Sequence, residues 1–266
     1  SPEAPAAVSD KASKPSNLFD ESLPAAEAIA EASDNLAEVA ARNPDISPAR
    51  LDHLLDDPAT WVDPTGKLFI IEEANVPIGD PDPVLSNPVN LADTFELQSK
   101  PGSSRTIYLD FTGDTISGTA WNSSYGASIV VEPWSQDGTP GSYSTTELTA
   151  IHSIWARVAE DFAPFAVNVT TKDLGSAAVN RADSSDQVYG TRVLMTTGNN
   201  SIGSACGCGG IAYVGVFDNI GSYYQPAFVF TTGTKAAAEA ASHEAGHNLG
   251  LGHDGTSSAS YYTGHG

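Results

Sequence analysis

Cysteine, methionine and basic residues are scarce in this 266-residue sequence, and each scarcity excludes something. The two cysteines, Cys206 and Cys208, are separated only by Gly207. A multi-bridge disulfide scaffold is therefore excluded. The pair can bridge across the glycine with some strain, or join cysteines outside this sequence; a metal role suits it least, because structural zinc sites use wider spacing. Lys and Arg number 12 against 33 Asp and Glu, a formal net charge of −21. Residues 1–100 hold 19 acidic and 6 basic side chains, and the remainder 14 and 6. Neither part offers the basic stripe that phosphate neutralisation requires, which excludes nucleic acid as a partner. No run approaches the ~20 apolar residues of a membrane span. There is no leader and no initiating methionine; the chain opens at Ser1, which reads as a mature or trimmed start. Acidity of this kind suits solubility in an extracellular medium. Ca2+ binding is the sharper alternative, although no spaced Asp/Asn loop of the EF-hand type is present.

Composition and periodicity divide the chain. Residues 1–20 are rich in Ala, Ser, Pro and Lys and read as a disordered tail. Residues 21–73 carry a helical pattern with Ile29, Leu36, Val39 and Ala40, opened by Pro24 and stopped at Asn43-Pro44. Ser47-Pro48 starts a short second helix, and a hairpin follows through Trp61-Val62, a turn at Asp63–Gly66 and the strand 67–71. Residues 74–103 hold five prolines without periodicity and read as a linker, with a boundary near 103. Beyond it come a strand from Arg105 to Phe111 and an amphipathic helix at 145–163 with Leu148, Ile151, Trp155, Val158 and Phe162 on one face. Strand-like runs follow at 165–171, 191–197, 210–217 and 227–232, and then an Ala-rich helix capped by Thr234. This order predicts an α/β layered domain.

The chemistry is concentrated in His243-Glu244-Ala245-Gly246-His247-Asn248-Leu249-Gly250-Leu251-Gly252-His253-Asp254. Residues four apart share a helix face, so His243 and His247 can aim imidazole nitrogens at one zinc ion. His253 cannot join by continuing the helix: six residues on, it points about 240° away and about 9 Å along the axis. The chain must double back, and Gly250 stands where a left-handed turn would do this without a Cβ penalty. Three neutral imidazoles leave a fourth position open for water. Glu244, one residue past His243, is placed to act as general base in metal-assisted hydrolysis. Three of the six histidines fall within eleven positions, together with the glycine that the geometry needs.

This segment resembles the long zinc signature of the metzincin metallopeptidases, H-E-x-x-H-x-x-G-x-x-H, and Asp254 resembles the adamalysin/reprolysin branch. The resemblance covers roughly 104–266. It implies a twisted, mostly parallel five-stranded sheet with a long helix and an active-site helix; the pattern of residues 21–73 adds a small mixed α/β N-terminal region before it. It implies a secreted Zn2+ endopeptidase acting on protein or peptide, with His243, His247 and His253 as metal ligands and Glu244 as the base. It also implies that residues 210–217 form an edge strand on which Ile211, Ala212, Tyr213 and Val214 bind an extended peptide by β-augmentation. Those side chains suit an interior strand as well. Metzincins place a methionine turn after the third histidine; here the only methionine is Met195. The chain thus reads as lacking the C-terminal part of the catalytic domain, with Tyr261, Tyr262 and His265 leading towards it.

A thermolysin-like ligand set would need a later glutamate, and none follows Glu244. His265 is a weak ligand candidate; His152 and His53 read as surface residues, and Asp110 and Asp114 as turn formers. Residues 1–100 suit a propeptide. With no cysteine before Cys206, inhibition by a propeptide thiolate is excluded. A carboxylate or steric cover would serve, but the sequence picks out no residue. The alternative function is a latent or truncated zinc-binding or protein-interaction domain. Cleavage preference and oligomeric state are not legible.

Overall fold

A computed structural model describes residues 14–30, 34–74 and 89–254. The expectations for 1–13, for 75–88 of the linker and for Tyr261, Tyr262 and His265 lie outside the described residues. The N-terminal region forms β1 (Leu23–Pro24), α1 (Ala25–Ala30), α2 (Asn35–Arg42), α3 (Pro48–Leu55), β2 (Thr60–Val62) and β3 (Leu68–Glu73). The single helix expected after Ser22 is thus two short pieces. Ala25, Ala28 and Val39 are buried while Leu36 is exposed, so the apolar residues do not form one continuous row. Asn43 ends α2 by donating its side-chain amide to Val39 O and Gly66 O. Ser47 caps α3, accepting from the Arg50 amide, as its sequence context predicts. The β2–β3 hairpin turns on Asp63, whose carboxylate accepts from the amides of Thr65 and Lys67.

The rest of the chain forms β4 (Arg105–Asp110), β5 (Asp114–Ile116), α4 (Asn122–Tyr125), β6 (Ile129–Val131), α5 (Thr145–Asp161), β7 (Asn168–Thr170), β8 (Tyr189–Met195), α6 (Ser201–Cys206), β9 (Cys208–Tyr213), β10 (Ala227–Val229) and α7 (Thr234–Asn248). Strands β7, β4, β8 and β10 run parallel and β9 is antiparallel to β10, which is the expected five-stranded, mostly parallel arrangement. The sheet continues past β9. Strand β3 pairs antiparallel with β9, β2 with β3 and β1 with β2, giving eight strands in the order β1-β2-β3-β9-β10-β8-β4-β7.

Both long helices pack on one face of this sheet. Ile151, Ile154 and Val158 of α5 and Ala237, Ala238, Ala241 and Ala245 of α7 meet Ile107, Leu109, Val193, Met195, Ala212, Ala227 and Val229. Methyl side chains on α7 let its backbone approach both α5 and the sheet closely, so its orientation is set by backbone contact. Alternate residues Leu194, Ile211, Tyr213 and Phe228 point to the other face, which Trp121, Ile129, Val131 and Ile202 cover. Thr234 is not the cap of α7: Gly233 holds that position, and the buried Thr234 hydroxyl lies 3.3 Å from Gln136 Nε2. His152 is buried rather than on the surface, 3.1 Å from Thr94 Oγ1, because residues 91–94 fold over that side of α5. Asp110 makes the expected turn contact with the Thr112 amide and also pairs with Arg192.

Candidate metal centre

Helix α7 ends on residues that tie it to the chain after β9. Its Asn248 is fully buried, donates to Tyr213 O at 2.9 Å and accepts from the Thr191 hydroxyl. The His247 carbonyl accepts from the Gly215 amide at 2.9 Å and from the Gly250 amide at 2.8 Å. Gly250 adopts φ +90°, so the left-handed turn expected there is formed and the chain reverses. The reversal brings His253 back, with its Nε2 3.1 Å from His243 Nε2.

The three imidazoles converge on one point. His247 is buried, its side chain 2% exposed, whereas His243 is open to solvent at 42%. His247 Nδ1–H donates to Leu251 O at 2.9 Å, which leaves Nε2 as the free donor atom. Burial, first of all, pushes the His247 pKa down, towards the neutral form that a metal requires. His253 Nδ1 lies 2.7 Å from Asp57 Oδ2, a carboxylate–histidine pair of the kind that orients metal ligands. Hydrogen bonds to Asp57 and then to Glu72 hold the His253 pKa up at about 10, against the effect of burial. A metal bound at Nε2 displaces that proton.

A fourth donor comes from β3. Glu72 Oε1 lies 3.1 Å from His243 Nε2, 3.2 Å from His247 Nε2 and 2.5 Å from His253 Nε2. Burial pushes the Glu72 carboxyl up, but the three imidazoles outweigh it and hold it well below the usual range. Glu72, His243, His247 and His253 are the one such group among the described residues, with donor atoms all within 4.8 Å of one another. Zinc–ligand bonds of roughly 2.0–2.1 Å imply edges of about 3.3 Å in a tetrahedron. The separations of Glu72 Oε1 from His243 and His247 are close to that and the one from His253 is shorter; three imidazoles and a carboxylate are a donor set that suits zinc. It does not fit calcium, which takes six to eight oxygens.

Glu244 occupies the side of α7 facing β9. It is fully buried, and both of its carboxylate oxygens lack a hydrogen-bond partner among the described residues. Burial, and secondarily the nearby Glu72 charge, raise its pKa well above the ordinary value. A divalent cation at the imidazoles would oppose both effects and favour the carboxylate. The carboxylate rests against the bare backbone of Gly210, where an added Cβ would lie 2.1 Å from its Oε1.

Strand β9 holds Ile211, Ala212, Tyr213 and Val214 or their immediate continuation, each at most 1% exposed. The open edge expected of it is filled by β3, with Ile70 opposite Ala212 and Phe69 opposite Tyr213. Cys206 and Cys208 form a disulfide at the start of β9. His53 is half-buried rather than a surface residue, and its Nε2–H donates to His253 O at 2.6 Å. Glu72, Asp57 and His53 were not identifiable as site residues, since nothing in the sequence links 53–72 to 243–253. The weak signals were an acidic pair ending an apolar strand and a His-x-x-x-Asp that runs off the end of a short helix.

Residues 165–254 match the Metallo-peptidase family M12B Reprolysin-like. No curated protein and no solved structure matches the chain. The matched stretch contains β7 to α7 and ends just past His253, so it takes in the three convergent imidazoles and the helix that carries Glu244. Over residues 165–254 the chain is thus similar to the reprolysin-like metallopeptidases, and its mixed α/β fold is consistent with a metzincin-like one.

Proposed function

We propose that the chain is a zinc-dependent endopeptidase in which Glu244 is the general base. The observation that carries this reading is the pairing of three convergent Nε2 atoms with a buried carboxylate, without a hydrogen-bond partner among the described residues, on the helix that bears two of them. Zinc held there supplies Lewis-acid polarisation of a peptide carbonyl and lowers the pKa of water to about 7. His247 and His253 keep their Nδ1–H groups on Leu251 O and Asp57, which fixes both rings with Nε2 inward. Glu244 accepts the proton released during attack and delivers it to the departing amine. The Glu244 carboxylate is fully buried and seated against Gly210. The substrate is protein or peptide, and an extended peptide would pair with the backbone of β9 only where β3 leaves it. A net charge of −21 and the Cys206–Cys208 bridge support an extracellular setting. No described helix is long and apolar enough to cross a membrane.

The test is hydrolysis of a quenched peptide library by the zinc-loaded chain, beside a chelated sample and Glu244→Ala. Activity lost in both controls supports the hydrolase. Activity that survives Glu244→Ala removes the general-base assignment. The second reading, a zinc-binding domain without turnover, is favoured by the occupied edge of β9, and predicts no cleavage in any sample at one zinc per chain.

A further inference from the structure

We infer that Glu72 is a fourth metal ligand, and that β3 and Glu72 together hold the centre latent by filling both the peptide edge of β9 and the coordination position that catalysis needs. The inference rests on the zinc-peptidase reading and assigns its regulation.

Two independent observations meet here. The first is coordination. A metal site that works on a substrate keeps a position open, whereas one closed by four protein donors is structural in type. Three imidazoles alone leave that position. With Glu72 Oε1 at 3.1, 3.2 and 2.5 Å from the three Nε2 atoms, the carboxylate stands where the fourth ligand belongs. The second is backbone pairing. Strand β3 is registered on β9 from Phe69 opposite Tyr213 to Glu73 opposite Cys208, so no amide or carbonyl edge of β9 is available to another chain over that length. The two are geometrically linked. Glu72 lies opposite Gly210, and Gly210 is the residue against which the Glu244 carboxylate is packed. The ladder irregularity between Glu72 and Glu73 falls at this same point of the strand. Strand pairing therefore delivers one carboxylate to the metal position at the level of the base. Its neighbour Glu73 is exposed and is not part of the metal-binding group.

The experiment uses the full chain loaded with Co2+, whose visible absorption reports the ligands, and acetohydroxamate as a small probe that needs an open coordination position. For the wild-type chain the spectrum should remain unchanged as acetohydroxamate is added. For Glu72→Gln and Glu72→Ala the starting spectrum should differ, and the probe should shift it with at least tenfold tighter apparent binding than in the wild type. Glu73→Gln should behave as the wild type. With zinc in place of cobalt, the Glu72 variants should cleave the quenched peptides at least tenfold faster than the wild-type chain.

A wild-type spectrum that responds to acetohydroxamate as strongly as the variants do overturns the inference, as does a chain that binds no cobalt. Retained far-UV circular dichroism in either Glu72 variant is sufficient to read the comparison, and loss of fold in both shows Glu72 to be a structural residue instead. If the spectra behave as expected but no variant cleaves peptide, the ligand assignment stands and the peptidase reading fails.

Discussion

Glu244 depends on what its neighbours lack. Its carboxylate fits only because residue 210 has no Cβ, and β9 is fixed on both sides by β3 and β10 while α7 is seated through alanines. Neither element can retreat readily, so Gly210→Ala should overpack the interface and cost about 1–3 kcal/mol. A lower Tm by calorimetry on the zinc-loaded chain is the expected result; an unchanged Tm would mean that the Glu244 side chain swings clear. Asp57 acts on the metal through another residue, by holding the Nδ1–H of His253. Asp57→Asn should weaken zinc affinity by roughly 10–100-fold in competition with a chelator. Affinity equal to wild type would leave orientation of that ring to the backbone contact from His53 alone.

At the scale of elements, the long helix α5 shows how a single carboxylate secures a loop. Ser144 and Glu147 form a capping box, and Glu147 additionally accepts from Ser135 Oγ and the Gln136 amide. Burial opposes ionisation, but these donors prevail and hold its pKa down at about 2. Because the folded value lies below the unfolded one, the stabilisation is complete above the ordinary carboxylate pKa of 4.5 and is lost as pH falls towards 2. Urea unfolding at pH 7 and pH 3 should show a smaller loss for Glu147→Gln than for the wild type; equal losses would assign acid sensitivity to other carboxylates. Elements of this length were legible: α5 carries five apolar residues at helical spacing, and the histidine spacing with Gly250 required the reversal that is found. Short elements were not. Strands β5 and β6 have three residues each, too few for alternation to register, and α6 is an Asn-capped turn before Gly207. The pairing of β3 with β9 was hidden for a different reason: local pattern identifies strands, whereas pairing between residues 69–73 and 208–213 depends on tertiary packing.

On the scale of the whole molecule, the described residues between 14 and 74 share a sheet and a core with the rest. Val214 packs among Phe19, Val39, Leu51, Leu54, Val62, Leu68 and Ile70, and the metal-binding group draws donors from both ends of the chain. A zinc ion bound by all four residues would therefore act as a cross-link as well as a ligand. His247 and Glu72 are 175 residues apart, while the three histidines alone close only a short local loop. Restricting a loop of that length in the unfolded chain corresponds to ~5 kcal/mol in the chain-entropy model, which is an upper value here because zinc can leave on unfolding. Removing zinc with a chelator should thus lower the Tm of the wild-type chain by several degrees. In Glu72→Gln the same treatment should lower it by less, since the metal then bridges only residues of α7 and the turn after it. The difference between the two shifts isolates the long-range link from simple metal binding. Equal shifts would show that Glu72 approaches the imidazoles without sharing their metal, and β3 would then be held on β9 by its backbone ladder alone.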